Sequence, residues 1–304
     1  MNRTTAAHGQ TVRERRIDVG GTSTRYLEAG RGDPVLLIPS EGCASEQWYG
    51  VLKGLADGYR VIAVDLPGYG YSEPVPGADP AAMAAFAWKF ARAVRAERPV
   101  VVGHSFGGAV AVNMALQQPG SVPSLVLVSP AGMGRAINPA KLVLALTPLG
   151  DLTKWLIPRL PFGPRLLVTA VAAVGSCRPW RIPSPWWSSQ VKAVSSPGAL
   201  SMTLRSQRTS VGPLGQRNLL LGRLPELPMP TLVAWGLQDV LVPFWQGIAA
   251  RRRLHDGRLK LVPRAGHLVP MEAADELLRA VRPFLAHSTG EGVTSGGQTP
   301  VHMG

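Results

Sequence analysis

Six compact apolar runs of strand length recur along the chain: Val35 to Ile38, Val61 to Val64, Val100 to Val102, Leu125 to Val128, Leu232 to Trp235 and Leu259 to Val262. Between them lie segments with helical spacing: Glu46 to Ala56, Asp79 to Glu97, Phe106 to Gln117, Val242 to Arg253 and Met271 to Leu285. Parallel strands need crossover connections, usually helices, so this alternation predicts an α/β fold with a mostly parallel sheet and helices on both faces. Sites in such sheets collect at the carboxyl ends of the strands. Ahead of the alternation, two runs within Val12 to Ala29 flank Gly20-Gly21, which predicts an antiparallel hairpin at the sheet edge.

The rhythm fails between Ala131 and about Leu227, where Pro, Trp and Arg are frequent and only short helical stretches are expected. We read the chain as an α/β core in two pieces, 12–130 and 229–286, with an inserted helical lid over 131–228. A flexible N-terminus, 1–11, and a disordered Gly/Ser/Thr-rich tail, 287–304, complete it. Leu142 to Leu146, Leu166 to Val174, Trp155, Trp180, Trp186 and Trp187 are candidates for a hydrophobic roof, or for packing of the lid on the sheet. Residues 131–228 hold 12 Lys/Arg against Asp151 and Glu226, so +10 of the chain's +13 falls there. Such a field suits an anionic substrate, an acidic carrier protein or an anionic membrane surface, or it marks solvated arginines on an outer face.

The most informative phrase is Val100-Val101-Val102-Gly103-His104-Ser105-Phe106-Gly107-Gly108, a strand running through Gly-His-Ser-Phe-Gly into an amphipathic segment. Small residues allow the sharp turn of a nucleophile elbow, which lifts the serine hydroxyl above the sheet and turns the Phe106 N–H toward a developing oxyanion. A serine needs a base to activate it and a third group to orient that base. Of six histidines, His8, His287 and His302 lie near the termini and His255 sits in a charged turn. His104 adjoins the serine, with its side chain directed away. His267, in the loop phrase PRAGHLVP after Leu259 to Val262, stands where a base belongs. Asp239, at the end of Thr231-Leu-Val-Ala-Trp-Gly-Leu-Gln-Asp239, is the matching acid, and the order Ser, Asp, His is that of one known hydrolase class.

From residue 12 to 286 the chain resembles the α/β-hydrolase superfamily, particularly lidded serine esterases, lactonases and carbon–carbon bond hydrolases. The resemblance implies an eight-stranded sheet and a Ser105, Asp239, His267 triad. Asp65-Leu-Pro-Gly-Tyr-Gly-Tyr-Ser72 resembles the family's D-x-P-G-x-G-x-S loop, whose role is mainly structural. Members usually carry His-Gly after the third strand, whereas this chain has Pro39-Ser40. By position Glu41 supplies the second oxyanion-hole N–H beside that of Phe106. Its carboxylate is open to three readings: an added acid or base, a group that repels anionic substrates, or one that faces solvent or pairs with a lid arginine. Candidate pocket residues are Ser40, His104, Trp155, Trp186, Trp187 and Leu241.

The leading expectation is hydrolysis of an ester, thioester or lactone of a hydrophobic small molecule through an acyl-enzyme on Ser105. The alternatives are carbon–carbon bond hydrolysis, lyase or cyclase chemistry on the same scaffold, and a ligand-binding protein with an unused triad. Dehalogenases and many epoxide hydrolases of this fold use an aspartate nucleophile, so Ser105 argues against both. No phosphate loop, metal-ligand cluster or nucleic-acid-recognition pattern is present in the sequence, so no cofactor, metal or nucleic-acid partner is expected. The substrate is expected to be hydrophobic, and either anionic or carrier-bound. Cys43 and Cys177 form no disulfide framework, and the first residues lack a secretory apolar core. These features predict a cytoplasmic protein; the sequence leaves oligomeric state open.

Overall fold

The computed structural model describes residues 11–195 and 197–288. The expected flexible N-terminus and disordered tail therefore fall almost wholly outside the described residues, although the final helix, Ala274–Ser288, runs past the core boundary expected at 286. Ten strands are assigned: β1 (Arg13–Asp18), β2 (Ser23–Ala29), β3 (Pro34–Ile38), β4 (Arg60–Val64), β5 (Val100–His104), β6 (Leu125–Val128), β7 (Val211–Gly212), β8 (Gly215–Gln216), β9 (Thr231–Gly236) and β10 (Gly257–Val262). Eight of them form one sheet in the order β1-β2-β4-β3-β5-β6-β9-β10. The β1–β2 and β2–β4 pairs are antiparallel and all the others parallel. This is the mostly parallel α/β sheet that the alternation predicts, with the hairpin at its edge.

Side chains of a strand alternate between faces, and here each face has a core of its own. Leu36, Ile38, Ile62 and Val64 join the cluster that includes the helices Pro80–Ala93 and Phe106–Gln117. Val35, Leu37, Val61 and Ala63 join the opposite cluster, with Trp48, Leu52 and the helix Ala274–Ser288. Being covered on both sides, the central strands read as unbroken apolar runs rather than as polar–apolar alternation. The registers His104↔Val128, Val128↔Ala234 and Gly236↔Val262 bring the carboxyl ends of β5, β6, β9 and β10 to one edge of the sheet. Ser105, Asp239 and His267 follow three of those ends.

Among the described residues five α-helices lie between β6 and β9: Pro139–Leu146, Pro148–Leu156, Gly163–Gly175, Ser184–Val194 and Pro197–Ser210. They are longer and more regular than the short stretches expected. Each has Pro in its first turn, where the missing N–H breaks no helical bond. Caps reinforce two of these starts: Asn138 Oδ1 accepts from Ala140 N at 2.9 Å and Thr147 Oγ1 from Leu149 N at 3.3 Å. The prolines that break the apolar periodicity thus mark where helices begin. A small core of Val168, Ala172, Ile182, Trp186 and Val194 is shared with Leu268 and Met271, so the inserted helices pack on the segment that carries His267.

A buried ionic network fixes the loops after β3 and β4. Arg25, 3% exposed, places Nη2 2.6 Å from Glu46 Oε1 and Nη1 3.3 Å from Asp65 Oδ2, with Glu14 at 3.1 Å on the outer side. Asp65 accepts from Ser45 N at 2.6 Å and from Tyr71 N at 2.9 Å, which joins the two loops. Burial pushes the Asp65 carboxyl up while the Arg25 guanidinium pulls it back. The expected structural role of Asp65 is what these contacts describe. Removing one partner of a buried ion pair strands the other, so Arg25→Ala is expected to cost about 3–5 kcal/mol. The midpoint and slope of urea unfolding measure it, and a loss well under 1 kcal/mol would show that the network contributes little.

Candidate active site

Ser105 sits in a turn few residues tolerate. Its backbone has φ 53° and ψ −117°, in the positive-φ region that non-glycine residues avoid, and it joins β5 directly to the helix Phe106–Gln117. The neighbours make room for it. A Cβ on Gly103 would lie 2.2 Å from the Gly107 carbonyl oxygen, and one on Gly107 would lie 2.3 Å from the Pro39 oxygen. Both contacts are shorter than any side chain allows, so only glycine lets strand, turn and helix close this tightly. The second contact also seats the first turn of the helix against the end of β3, beside Ser40 and Glu41.

The three polar side chains meet. His267 Nε2 lies 2.9 Å from Ser105 Oγ, and His267 Nδ1 lies 2.7 Å from Asp239 Oδ2. A carboxylate can only accept, so Nδ1 carries the proton and Nε2 turns its lone pair to the serine hydroxyl. Asp239 is held from all sides: Oδ1 accepts from Leu241 N at 2.9 Å and Val242 N at 2.8 Å, and Oδ2 also accepts from Trp235 Nε1 at 3.2 Å. With its side chain fully buried and these donors around it, the carboxylate has one orientation, which fixes the imidazole.

His104, expected among the pocket residues, is corrected: it is fully buried, and its Nε2 lies 2.8 Å from the backbone oxygen of His267. A carbonyl accepts, so His104 Nε2 is the donor and its tautomer is set. Its Nδ1 is an unprotonated buried nitrogen with no hydrogen-bond partner among the described residues. Burial, reinforced by the neighbouring His267 ring, holds His104 well below the usual histidine range, so it stays neutral and supports the loop from beneath.

The loop after β3 is held from both core and insertion. Ser40 N donates to Gln47 Oε1 at 3.0 Å, and Gln190 Nε2 donates to the Gly42 oxygen at 2.7 Å. Glu41 pairs with Lys141 Nζ at 3.2 Å, its side chain only 6% exposed; its partner is a lysine of the insertion rather than an arginine. Among the described residues, neither the Glu41 nor the Phe106 amide donates a hydrogen bond within the chain. Cys43 lies beside Trp186, and burial pushes its thiol up to about 12. Leu241 packs half-buried on the core next to Asp239.

The expected tryptophan roof divides. Trp186 and Trp187 pack edge to face inside the insertion's small core, whereas Trp155 and Trp180 are 55% and 78% exposed and enclose nothing. The sequence reading also missed Glu272. This carboxylate is 1% exposed and accepts from Gly266 N at 2.8 Å, Cys177 N at 2.8 Å and Arg178 N at 2.9 Å. It ties the His267 loop to the insertion, and burial pushes it up from the ordinary carboxylate range. Nothing in the apolar run Leu232 to Trp235 reveals that the Trp235 indole N–H faces the acid four residues on.

A family model for the alpha/beta hydrolase fold matches residues 33–274. The chain belongs to this family. Its members near this chain include a 2-hydroxy-6-oxononadienedioate/2-hydroxy-6-oxononatrienedioate hydrolase of Comamonas testosteroni, 27% identical over 94% of this chain and 99% of that one. A shorter match, 44% identical over 123 residues, joins 40% of this chain to 33% of a dihydrolipoyllysine-residue acetyltransferase component of an acetoin cleaving system from Cupriavidus necator. The chain thus aligns with only a third of that protein. Among solved structures, a membrane phospholipase A described as a bacterial virulence factor superposes with a TM-score of 0.76 at 25% identity, covering 91% of this chain and 87% of that one.

The depressed His104 pKa has a pH signature. Above about pH 6.5 the group is neutral whether the chain is folded or not; below it the unfolded chain takes a proton that the folded protein resists. Folding stability is therefore lost as pH falls, by up to about 1.4 kcal/mol per unit, until the folded pKa is reached. His104→Gln keeps a donor for the His267 carbonyl, and its urea-unfolding stability is expected to decline less steeply than that of the parent from about pH 6.5 to about pH 5. Parallel slopes would remove His104 as the source.

Proposed function

We propose that the protein is a serine hydrolase acting on an ester, thioester or lactone of a hydrophobic small molecule. The carrying observation is the hydrogen-bonded line from Ser105 Oγ through His267 to Asp239. In this reading Oγ attacks the acyl carbonyl as His267 Nε2 takes its proton, and Asp239 stabilises the imidazolium. The N–H groups of Phe106 and Glu41 hold the oxyanion; among the described residues neither amide has a competing partner. Collapse expels the alcohol or thiol, which receives the proton from His267. Water, deprotonated by the same imidazole, then attacks the acyl-enzyme, and Ser105 leaves with the free acid released.

Residues 131–228 act as the lid over this site, between core pieces 12–130 and 229–286. Leu241, half-buried beside Asp239, furnishes apolar wall for the acyl group. The two free cysteines fit a reducing compartment, and we assign the protein to the cytoplasm.

A second reading, carbon–carbon bond hydrolysis, is favoured by the full-length likeness to the nonadienedioate hydrolase. That relative's named substrates carry two carboxylates. Here the charge nearest the oxyanion loop is Glu41, neutralised by Lys141, which favours a neutral acyl group at Ser105. Ester cleavage is therefore the first choice.

The test is turnover of p-nitrophenyl acyl esters together with labelling by a fluorophosphonate. Ser105→Ala is expected to abolish labelling and to lower kcat by about 10⁴-fold or more while leaving the thermal melt in place. Asp239→Asn, which permits the wrong histidine tautomer, is expected to cost about 10⁴-fold. Unchanged labelling in Ser105→Ala would refute the assignment. Release of a cleaved diketone without ester turnover would shift it to the second reading.

A further inference from the structure

The inserted helices present apolar side chains to solvent. In Pro148–Leu156 the exposed residues Leu149, Leu152, Trp155 and Leu156 share one side of the helix by their spacing, while Gly150 is buried. In Gly163–Gly175 the exposed set is Leu166, Val171 and Val174, while Val168 and Ala172 face the insertion's own core. The turn between these helices and the first turn of the second carry the most exposed of these groups: Phe162 is 66% and Leu166 65% exposed, with Leu160 exposed beside them. A water-facing helix normally shows the reverse pattern. Exposed apolar side chains concentrated in one stretch of chain in this way mark an interaction face.

Charge identifies the occupant. Arg159 and Arg165 bracket the turn, both exposed, and neither has a carboxylate within ion-pair distance among the described residues. Arg159 lies over the Trp155 ring, a cation resting on an apolar group. From 139 to 181 the sole acidic residue is Asp151, which is engaged by Lys154 and Arg208. Arg178 and Arg181 are turned to Glu276 and Asp275 of the core, which leaves the two bracketing arginines as the cations of this face. A twofold pairing of two copies would bring two patches of the same positive charge together, so charge disfavours a second copy. An anionic bilayer surface offers what the face lacks: acyl chains for Phe162, Leu166 and Trp155, and phosphates for Arg159 and Arg165. No helix among the described residues is long and apolar enough to cross a membrane, so the contact lies in the interface.

We propose that the outer face of residues 148–174 docks the protein on anionic lipid bilayers, with the turn 159–166 as its insertion point. Docking does not depend on the chemistry proposed for Ser105, and its test needs no substrate. Full-length protein is floated with vesicles of phosphatidylcholine alone and of phosphatidylcholine mixed with phosphatidylglycerol, and tryptophan fluorescence is read with brominated acyl chains. The expected results are flotation with the anionic vesicles and quenching that Trp155→Phe reduces. Arg159→Gln with Arg165→Gln is expected to weaken vesicle affinity by roughly tenfold, and Leu152→Asp with Phe162→Asp to abolish it. Circular dichroism melting separates lost docking from lost folding, and the quenching of the unaltered protein stands whether or not a variant folds. Absence of flotation, equal binding to neutral vesicles, or a dimer in sedimentation velocity without vesicle binding would overturn the proposal.

Discussion

Everything at the site depends on one strained residue. Holding a serine at positive φ costs of order 1–3 kcal/mol, and such strain persists only where the surroundings over-determine it. Here they do. Ser105 is tied to the adjacent strand through its N–H on the Val128 oxygen, and its carbonyl accepts from Gly108, Ala109 and Ala131. The helix it begins is almost wholly buried, so the turn cannot relax without lifting that helix off the sheet. The hydroxyl is thereby presented at a fixed height above the strand ends, where His267 meets it.

Around this fixed point the site is built on loops, which are held by buried polar groups as well as by apolar packing. Arg25 and Asp65 hold the loop after β3, the donors around Asp239 hold the acid, and Glu272 with His104 hold the loop bearing His267. Backbone N–H groups taken from water need acceptors, and a buried carboxylate needs donors; pairing the two satisfies both and leaves the loop one conformation. The stability cost of burying these charges is offset by positional precision at the edge where the strands end.

The sequence made the core legible because its strands are buried on both sides and its crossovers are regular. The runs from Val35 to Val262 appear within a few residues of where they were expected, and Ser105, Asp239 and His267 converge because each follows a strand end in a fixed register. Legibility failed where a side chain's partner lies far along the chain. Trp235 ends an apolar run and Glu272 lies within a segment of helical spacing; their roles exist only once β9, the insertion and the His267 loop are side by side. His104 turns away from the hydroxyl as its position predicts, but it is fully buried beneath the His267 loop rather than lining a pocket. In the insertion, prolines read as interruptions proved to be helix starts, and the tryptophans split between inside and outside because the sequence could not say which helix face would find a neighbour.

The pair formed by Glu41 and Lys141 has a consequence of its own. The acid follows β3 and the amine lies on the helix Pro139–Leu146, so the Glu41 charge is neutralised only while loop and helix stay together. In the proposed mechanism, parting them would leave a lone negative charge on the residue whose amide is proposed to hold the oxyanion, which disfavours that chemistry. Shape and field are thus coupled through a single contact.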